Sequence, residues 1–172
     1  MNYKSLTLLA ICIVSWTLSL LAQKASVKYE TIQLAPQYTP VQLATIHTND
    51  SIIMHDIVTP MVDSAVKAGL IPDWLWIGRC IEAKKYSAYY ADKNVARAKI
   101  FYNWGKDWPA FATAIVYFTN KYEDKSKAEL MSKNAKMVLD YSINPAELKS
   151  AANWVKDTDK STHDALLAKA AK

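Results

Sequence analysis

Two histidines and a neighbouring carboxylate are the side chains of this chain best suited to acid–base chemistry or metal binding. His47 and His55 lie eight residues apart, and Asp56 directly follows His55. Imidazole and carboxylate groups bind zinc, and imidazole exchanges protons near neutral pH. A metal site needs three or four ligands that converge at fixed distances, and an eight-residue histidine spacing is not a known ligand pattern. We therefore retain these three residues as candidates but predict no metal and no cofactor.

The sequence contains no motif that specifies a reaction. Its three glycines, Gly69, Gly78 and Gly105, are too far apart to form a phosphate-binding or dinucleotide-binding loop. It has no G-x-S-x-G nucleophile elbow and no C-x-x-C pair. Cys80 lies beside Ile81 at a position where we expect it to pack as a small apolar side chain. The chain is therefore predicted not to be an enzyme, and catalysis by the histidines above is the alternative.

Aromatic residues alternate with cations between residues 74 and 108, and this mixture is typical of contact surfaces. Tryptophan and tyrosine are favoured where one end of a side chain is dry and the other is wet. Only two of the 21 cations are arginine, whereas proteins that read nucleic acid usually bind guanine through arginine. We expect no nucleic-acid binding and name seven candidates for contact with a partner or with lipid: Trp74, Trp76, Arg97, Lys99, Tyr102, Trp104 and Trp108.

An uncharged run near the amino terminus predicts where the protein resides. It covers residues 5–22, from Ser5 to Ala22, and lies between Lys4 and Lys24. About 20 apolar residues are needed for a helix to cross a bilayer, so we predict a four-residue flank and a transmembrane helix over residues 5–24. The alternative is a signal peptide cleaved after Ala22 or Ala25, although neither site has the preferred small residue two positions earlier.

Composition predicts that the rest of the chain is a helical domain. Hydrophobic residues make up 51% of the sequence, enough to form a core, and the low glycine content favours helices. Residues 25–48 contain Pro36 and Pro40 without a helical stripe, so we predict an extended arm there. Over residues 49–172 we predict a compact, all-α array of five to seven helices.

Capping residues and helix breakers locate the expected helices. Asn49 or Asp50 is predicted to cap the first helix, which Pro60 should kink, and a buried central helix is expected over residues 108–119. A re-entrant membrane segment is the alternative for that helix. Further helix starts are predicted near Pro72, Asp107, Ser126, Asn144, and Ser161 or Thr162. Residues 92–104 are predicted to be either a continuation of the helix from Pro72 or a new helix capped by Asp92.

These features together predict a structural role at a membrane. We expect a non-catalytic accessory subunit of a multi-subunit membrane complex, anchored by a single helix and in contact with other subunits and the lipid bilayer. By analogy, an energy-transducing membrane such as the mitochondrial inner membrane is favoured. The alternative is an exported, soluble helical binding module whose amino-terminal segment is cleaved.

Overall fold

The computed structural model describes residues 39–172, which form an all-α unit. A π-helical segment, Met54–Val58, joins the first two α-helices without a break, so residues 40–170 form seven continuous helical rods. The predicted all-α array of five to seven helices is thereby confirmed. The α-helices are α1 (Pro40–Ile53), α2 (Thr59–Lys67), α3 (Trp74–Ala83), α4 (Ala88–Asn103), α5 (Trp108–Tyr122), α6 (Ala128–Tyr141), α7 (Pro145–Val155) and α8 (Lys160–Ala170).

The predicted flank (1–4), the predicted transmembrane helix (5–24) and residues 25–38 of the predicted arm lie outside the described residues. Within residues 39–172, no helix combines the length and the apolar character that a membrane crossing requires.

The prediction of an extended arm is wrong over residues 40–48, which are the first turns of α1. Thr39 and Gln42 form a capping box, because each side chain accepts a hydrogen bond from the other residue's backbone N–H. Pro40 is the first helical residue, where its fixed φ favours a helix and its missing N–H costs nothing. Asp50 therefore lies inside the helix and does not cap it.

A π-helical segment, Met54–Val58, lies directly before Pro60, where a kink is predicted. The backbone N–H of Thr59 bonds the carbonyl of Met54, five residues earlier, where an α-helix would bond four residues earlier. Because Pro60 has no N–H to donate, the regular hydrogen-bond ladder cannot continue through it. The helix nevertheless continues as α2, which ends at Lys67. Gly69, two residues further on, has a positive φ of 69°.

Two predicted helix starts are confirmed by their caps, because the side chains of Asp107 and Asn144 accept backbone N–H bonds at the starts of α5 and α7. The helix predicted to begin at Pro72 begins at Trp74, and Asp73 is its cap. The prediction that Ser126 caps α6 is wrong, because its hydroxyl donates to Asp124 at 2.7 Å. Asp159 precedes the predicted start of α8 and is its actual cap.

The helix predicted to start near Asp92 begins four residues earlier, at Ala88. Ser87 is its N-cap, and Asp92 lies within the second turn. The turn that separates α3 from α4 includes Lys85, which has a positive φ of 68°.

Two hydrophobic clusters form the core. Helix α5 contributes Phe111 and Ile115 to the larger one, but the prediction of a buried central helix is wrong in part, because Trp108, Thr113 and Tyr117 are exposed. From α3 onward, consecutive helices pack on each other, and α3 and α4 also pack on the π-helical segment. The first cluster, formed by α1, the π-helical segment, α3 and α4, consists of Ile53, Val58, Ile77, Ile81, Ala91, Val95 and Ala98. The second cluster, formed by α5 to α8, consists of Phe111, Ile115, Met131, Ala135, Val138, Leu148, Ala151, Ala152, Val155 and Leu166.

Candidate functional site

The predicted metal or acid–base candidates lie on the exposed side of the first rod. His55 Nδ1 is 2.6 Å from Asp56 Oδ1, and both side chains are exposed. His47 is exposed on α1, and its backbone carbonyl accepts a hydrogen bond from Ser51. Across residues 39–172, no three His, Cys, Asp or Glu side chains are grouped closely enough to hold a metal ion. The structure therefore brings together only the sequence neighbours His55 and Asp56.

Four residues near the junction of α4 and α5 form an exposed surface, which we call the α4–α5 patch: Arg97, Phe101, Trp104 and Trp108. The first three are spaced four and three residues apart, which places them on one side of α4. Phe101 and Trp104 are 59% and 60% exposed. The guanidinium of Arg97 lies 6.0 Å from the centre of the Phe101 ring, within the range of a cation–π contact.

The patch is held by aromatic packing beneath it. Trp104 packs edge-on against the buried Phe111, with 5.5 Å between ring centres. Trp108 stacks on Tyr141 of α6, with ring centres 4.2 Å apart and planes 11° apart. Because these contacts use one side of each indole, the other side faces outward in a defined orientation. The two indole rings of the patch, those of Trp104 and Trp108, therefore have defined orientations in the absence of a partner.

Three of the other predicted contact residues make contacts within their own chain. Trp74 packs edge-on against Tyr102 at 5.4 Å, and Lys99 lies 5.8 Å from the Trp74 ring centre. Lys106 covers Tyr102 at 4.4 Å. Trp74, Lys99 and Tyr102 are therefore half-buried and join α3 to α4, whereas Trp76 is 55% exposed.

A second exposed apolar surface was not predicted from the sequence as a unit. We call it the α2–α3 tip, and it consists of Val66, Leu70, Ile71, Leu75 and Trp76. Sequence reasoning identified Trp76 but treated Gly69 only as a helix stop. The available signal was the pair of large aliphatic residues, Leu70 and Ile71, placed between Gly69 and Pro72 in a turn.

A buried ion pair links α1 to α4. Lys93 Nζ donates to Asp50 Oδ2 at 2.5 Å, and only 5% of the Asp50 side chain is exposed. Asn94 Nδ2 donates to Asp50 Oδ1 at 3.0 Å and to the carbonyl of Tyr90 at 2.9 Å. Sequence reasoning missed this pair because it assigned Asp50 to a cap. The signal was its spacing of three and seven residues from Ile53 and Ile57, which places it on the apolar face.

A polar cluster around Asp92 links α4 to α5. Tyr117 and Lys121 donate to the Asp92 carboxylate at 2.7 and 2.5 Å, and the hydroxyl of Tyr122 also donates to it. Partial burial alone would raise the pKa of Asp92, but the hydrogen bonds from Lys121, Tyr122 and Tyr117 outweigh it and lower that pKa. Burial, followed by the bond to Asp92, raises the pKa of Tyr122. At neutral pH the cluster therefore contains a carboxylate, an ammonium group and protonated phenols, and the hydrogen bonds among them link α4 to α5.

Comparisons with models of protein families, with curated proteins and with solved structures found no match. The function is therefore inferred from the side chains that this chain exposes and from its uncharged amino-terminal run.

Proposed function

We propose that this protein is a non-catalytic accessory subunit of a multi-subunit membrane complex. Its helical domain contacts the larger subunits through the α4–α5 patch, and its amino-terminal run anchors it in the bilayer. The observation that carries this proposal is the exposure of Phe101 and Trp104 beside Arg97 on an ordered surface. We further propose an energy-transducing membrane, such as the mitochondrial inner membrane, as its location.

The chemistry of the α4–α5 patch favours a protein partner. Tryptophan and arginine are enriched among the residues that contribute most of the binding energy at protein interfaces. Phe101 and Trp104 leave large apolar areas in water, and removing such area from water is favourable, although only the surplus over the entropic cost of association contributes to affinity. The packing of Trp104 on Phe111 and of Trp108 on Tyr141 restricts these two indole rings beforehand, so less conformational entropy is lost on binding.

The sequence supports the membrane part of the proposal independently. Residues 5–22 contain no charged side chain, and their length is close to that of a bilayer-spanning helix. A single anchor of this kind keeps the helical domain near membrane-bound partners and raises its effective concentration at their surface. A modest interface is then sufficient for stable assembly.

The first experiment is to measure the native size of the full chain in a mild-detergent extract of its source membranes. We expect it to migrate with an assembly far larger than its own 19.3 kDa. Recovery without detergent as a small soluble species, with an amino terminus following Ala22 or Ala25, would instead indicate an exported binding module.

A pair of double variants tests the patch itself. Phe101→Ala with Trp104→Ala should release the chain from the large assembly, because both exposed rings are lost. The matched control is Ile143→Ala with Leu167→Ala, which removes exposed apolar side chains from the α6–α7 turn and from α8. Both proteins should retain wild-type helicity by circular dichroism. Equal retention of the two variants in the assembly would contradict the assignment of the patch.

A further inference from the structure

The α2–α3 tip concentrates exposed aliphatic side chains in one turn. Leu70 and Ile71 are 64% and 78% exposed, and Leu75 and Trp76 in the first turn of α3 are also exposed. Apolar residues exposed singly are common on soluble proteins, whereas a contiguous group marks a contact with another molecule or with lipid. Trp76 adds a side chain that is favoured at the boundary between lipid and water.

Much of the backbone of this turn is already hydrogen-bonded within the chain. The N–H of Gly69 bonds the carbonyl of Val66 at 3.0 Å, and the N–H of Leu70 bonds the carbonyl of Ala65 at 2.9 Å. Pro72 has no N–H, and the Asp73 carboxylate accepts the N–H of Trp76 at 2.9 Å. Backbone groups that enter an apolar medium need partners. These internal bonds therefore lower the cost of moving the turn out of water.

The charges near the tip fit a lipid surface. Lys67 at the end of α2 and Arg79 in α3 are exposed on either side of it, and residues 64–72 contain no carboxylate. Long cationic side chains can lay their stems along apolar surface while their charges contact anionic headgroups. Asp73, the acidic residue nearest to Ile71, is engaged as the cap of α3. Four of the five side chains of the tip are aliphatic, whereas three of the four in the α4–α5 patch are aromatic.

The length of the chain allows the tip to reach the bilayer that holds the proposed anchor. The 16 residues between Ala22 and Thr39 span at most about 55 Å when fully extended. The rod from Pro40 to Lys67 is about 40 Å long, at a rise of about 1.5 Å per residue. Tethering at this range gives an effective concentration on the order of millimolar, so a small apolar contact is enough to bind.

From these observations we infer that the α2–α3 tip inserts into the headgroup region of the same bilayer that receives residues 5–22. Leu70 and Ile71 enter the apolar boundary, Trp76 lies at the level of the headgroups, and Lys67 and Arg79 contact anionic lipid. This inference rests on the anchoring in the proposed function. It adds a second membrane contact, which orients the helical domain relative to the bilayer.

The test compares two isoleucines of equal exposure. Ile71→Cys and Ile143→Cys, both 78% exposed in the wild-type chain, are each made in the full chain with Cys12→Ala and Cys80→Ala. Each thiol is labelled with a nitroxide, and the protein is reconstituted in vesicles of phosphatidylcholine and phosphatidylglycerol. Spin relaxation by oxygen, which partitions into lipid, and by a water-soluble nickel chelate reports the environment of each label. We expect the label at position 71 to be several-fold less accessible to nickel than the label at position 143.

The outcomes distinguish insertion of the α2–α3 tip from anchoring by residues 5–22. Equal nickel accessibility at positions 71 and 143, in protein that resists carbonate extraction, would overturn tip insertion and leave the anchored subunit intact. Release of the protein by carbonate would overturn the anchor together with the inference that depends on it. Spin–spin broadening at position 71 would indicate contact between two copies of the tip and would also overturn lipid insertion.

Discussion

The two halves of the helical domain use their apolar residues differently. Helices α5 to α8 bury a large cluster that includes Phe111, Met131, Leu148 and Leu166. The described part of the chain has fifteen large hydrophobic residues with substantial exposure, and twelve of them lie between Val41 and Trp108. Trp108 is the first residue of α5, and the other eleven precede that helix. The carboxyl-terminal half therefore satisfies its own apolar faces, whereas the amino-terminal half presents the surfaces proposed to contact protein and lipid.

Each half also contains a polar contact that links two of its helices. The ion pair of Asp50 with Lys93 lies within the packing between α1 and α4 and is almost completely enclosed. In the carboxyl-terminal half, Asp159 caps α8 at the surface and accepts a hydrogen bond from Ser132 of α6 at 2.6 Å. A buried ion pair is costly to break and specific in its geometry, whereas a surface cap contributes more modestly.

The largest expected effect tests whether the carboxyl-terminal cluster is the main source of stability. Phe111 is 1% exposed, so Phe111→Ala should lower the free energy of unfolding by about 3–5 kcal/mol through lost transfer energy and a residual cavity. Urea denaturation followed by circular dichroism measures this change. Phe101→Ala, at a 59% exposed position, is the control and should change stability by less than about 0.5 kcal/mol. Similar losses in the two variants would break the distinction between core and interaction surface.

The next effect concerns the buried pair of the amino-terminal half. Asp50→Ala leaves the Lys93 ammonium without its partner in an enclosed site and should cost about 3 kcal/mol. The double variant Asp50→Ala with Lys93→Met should recover part of that loss, because no unpaired charge remains. Urea denaturation of the wild type, of both single variants (Asp50→Ala and Lys93→Met) and of the double variant provides the measurement. If the double variant were as unstable as the sum of both single variants, the pair would not act as a unit.

The smallest effect is a pH dependence from the surface cap. The hydrogen bond from Ser132, followed by those from the backbone and hydroxyl of Thr162, lowers the pKa of Asp159. The unfolded carboxylate then binds a proton at a higher pH than the folded one, so this stabilisation is lost as the pH falls below about 5. Asp159→Asn should therefore flatten the decline of the urea midpoint between about pH 5 and pH 3.

Asp157→Asn is the matched control for that titration, since the Asp157 carboxylate makes only a 3.9 Å contact with Lys156 at the surface. It should keep the wild-type pH profile. An unchanged profile in Asp159→Asn as well would show that the link between α6 and α8 does not depend on a charged cap.

Much of the helical pattern could be predicted, and its errors have identifiable causes. The capping roles of Asp107 and Asn144 were predictable because each depends on an acceptor and an N–H a few residues apart. Pro40 was misread because proline both excludes helix before it and favours helix after it. Of the seven contact candidates, Trp76, Arg97, Trp104 and Trp108 are exposed, and the exposed pair Leu70 and Ile71 was missed.

The sequence by itself determined that the described chain is helical and where most of its helices begin, since caps and apolar periodicity act over a few residues. Only the tertiary structure decided which apolar side chains are covered. Trp74 and Trp76 are two residues apart, yet one is held by Tyr102 from another helix and the other is exposed. Likewise, Asp50 meets Lys93, 43 residues away, only because α1 packs on α4. Burial and pairing depend on contacts between distant segments, and local spacing does not contain that information.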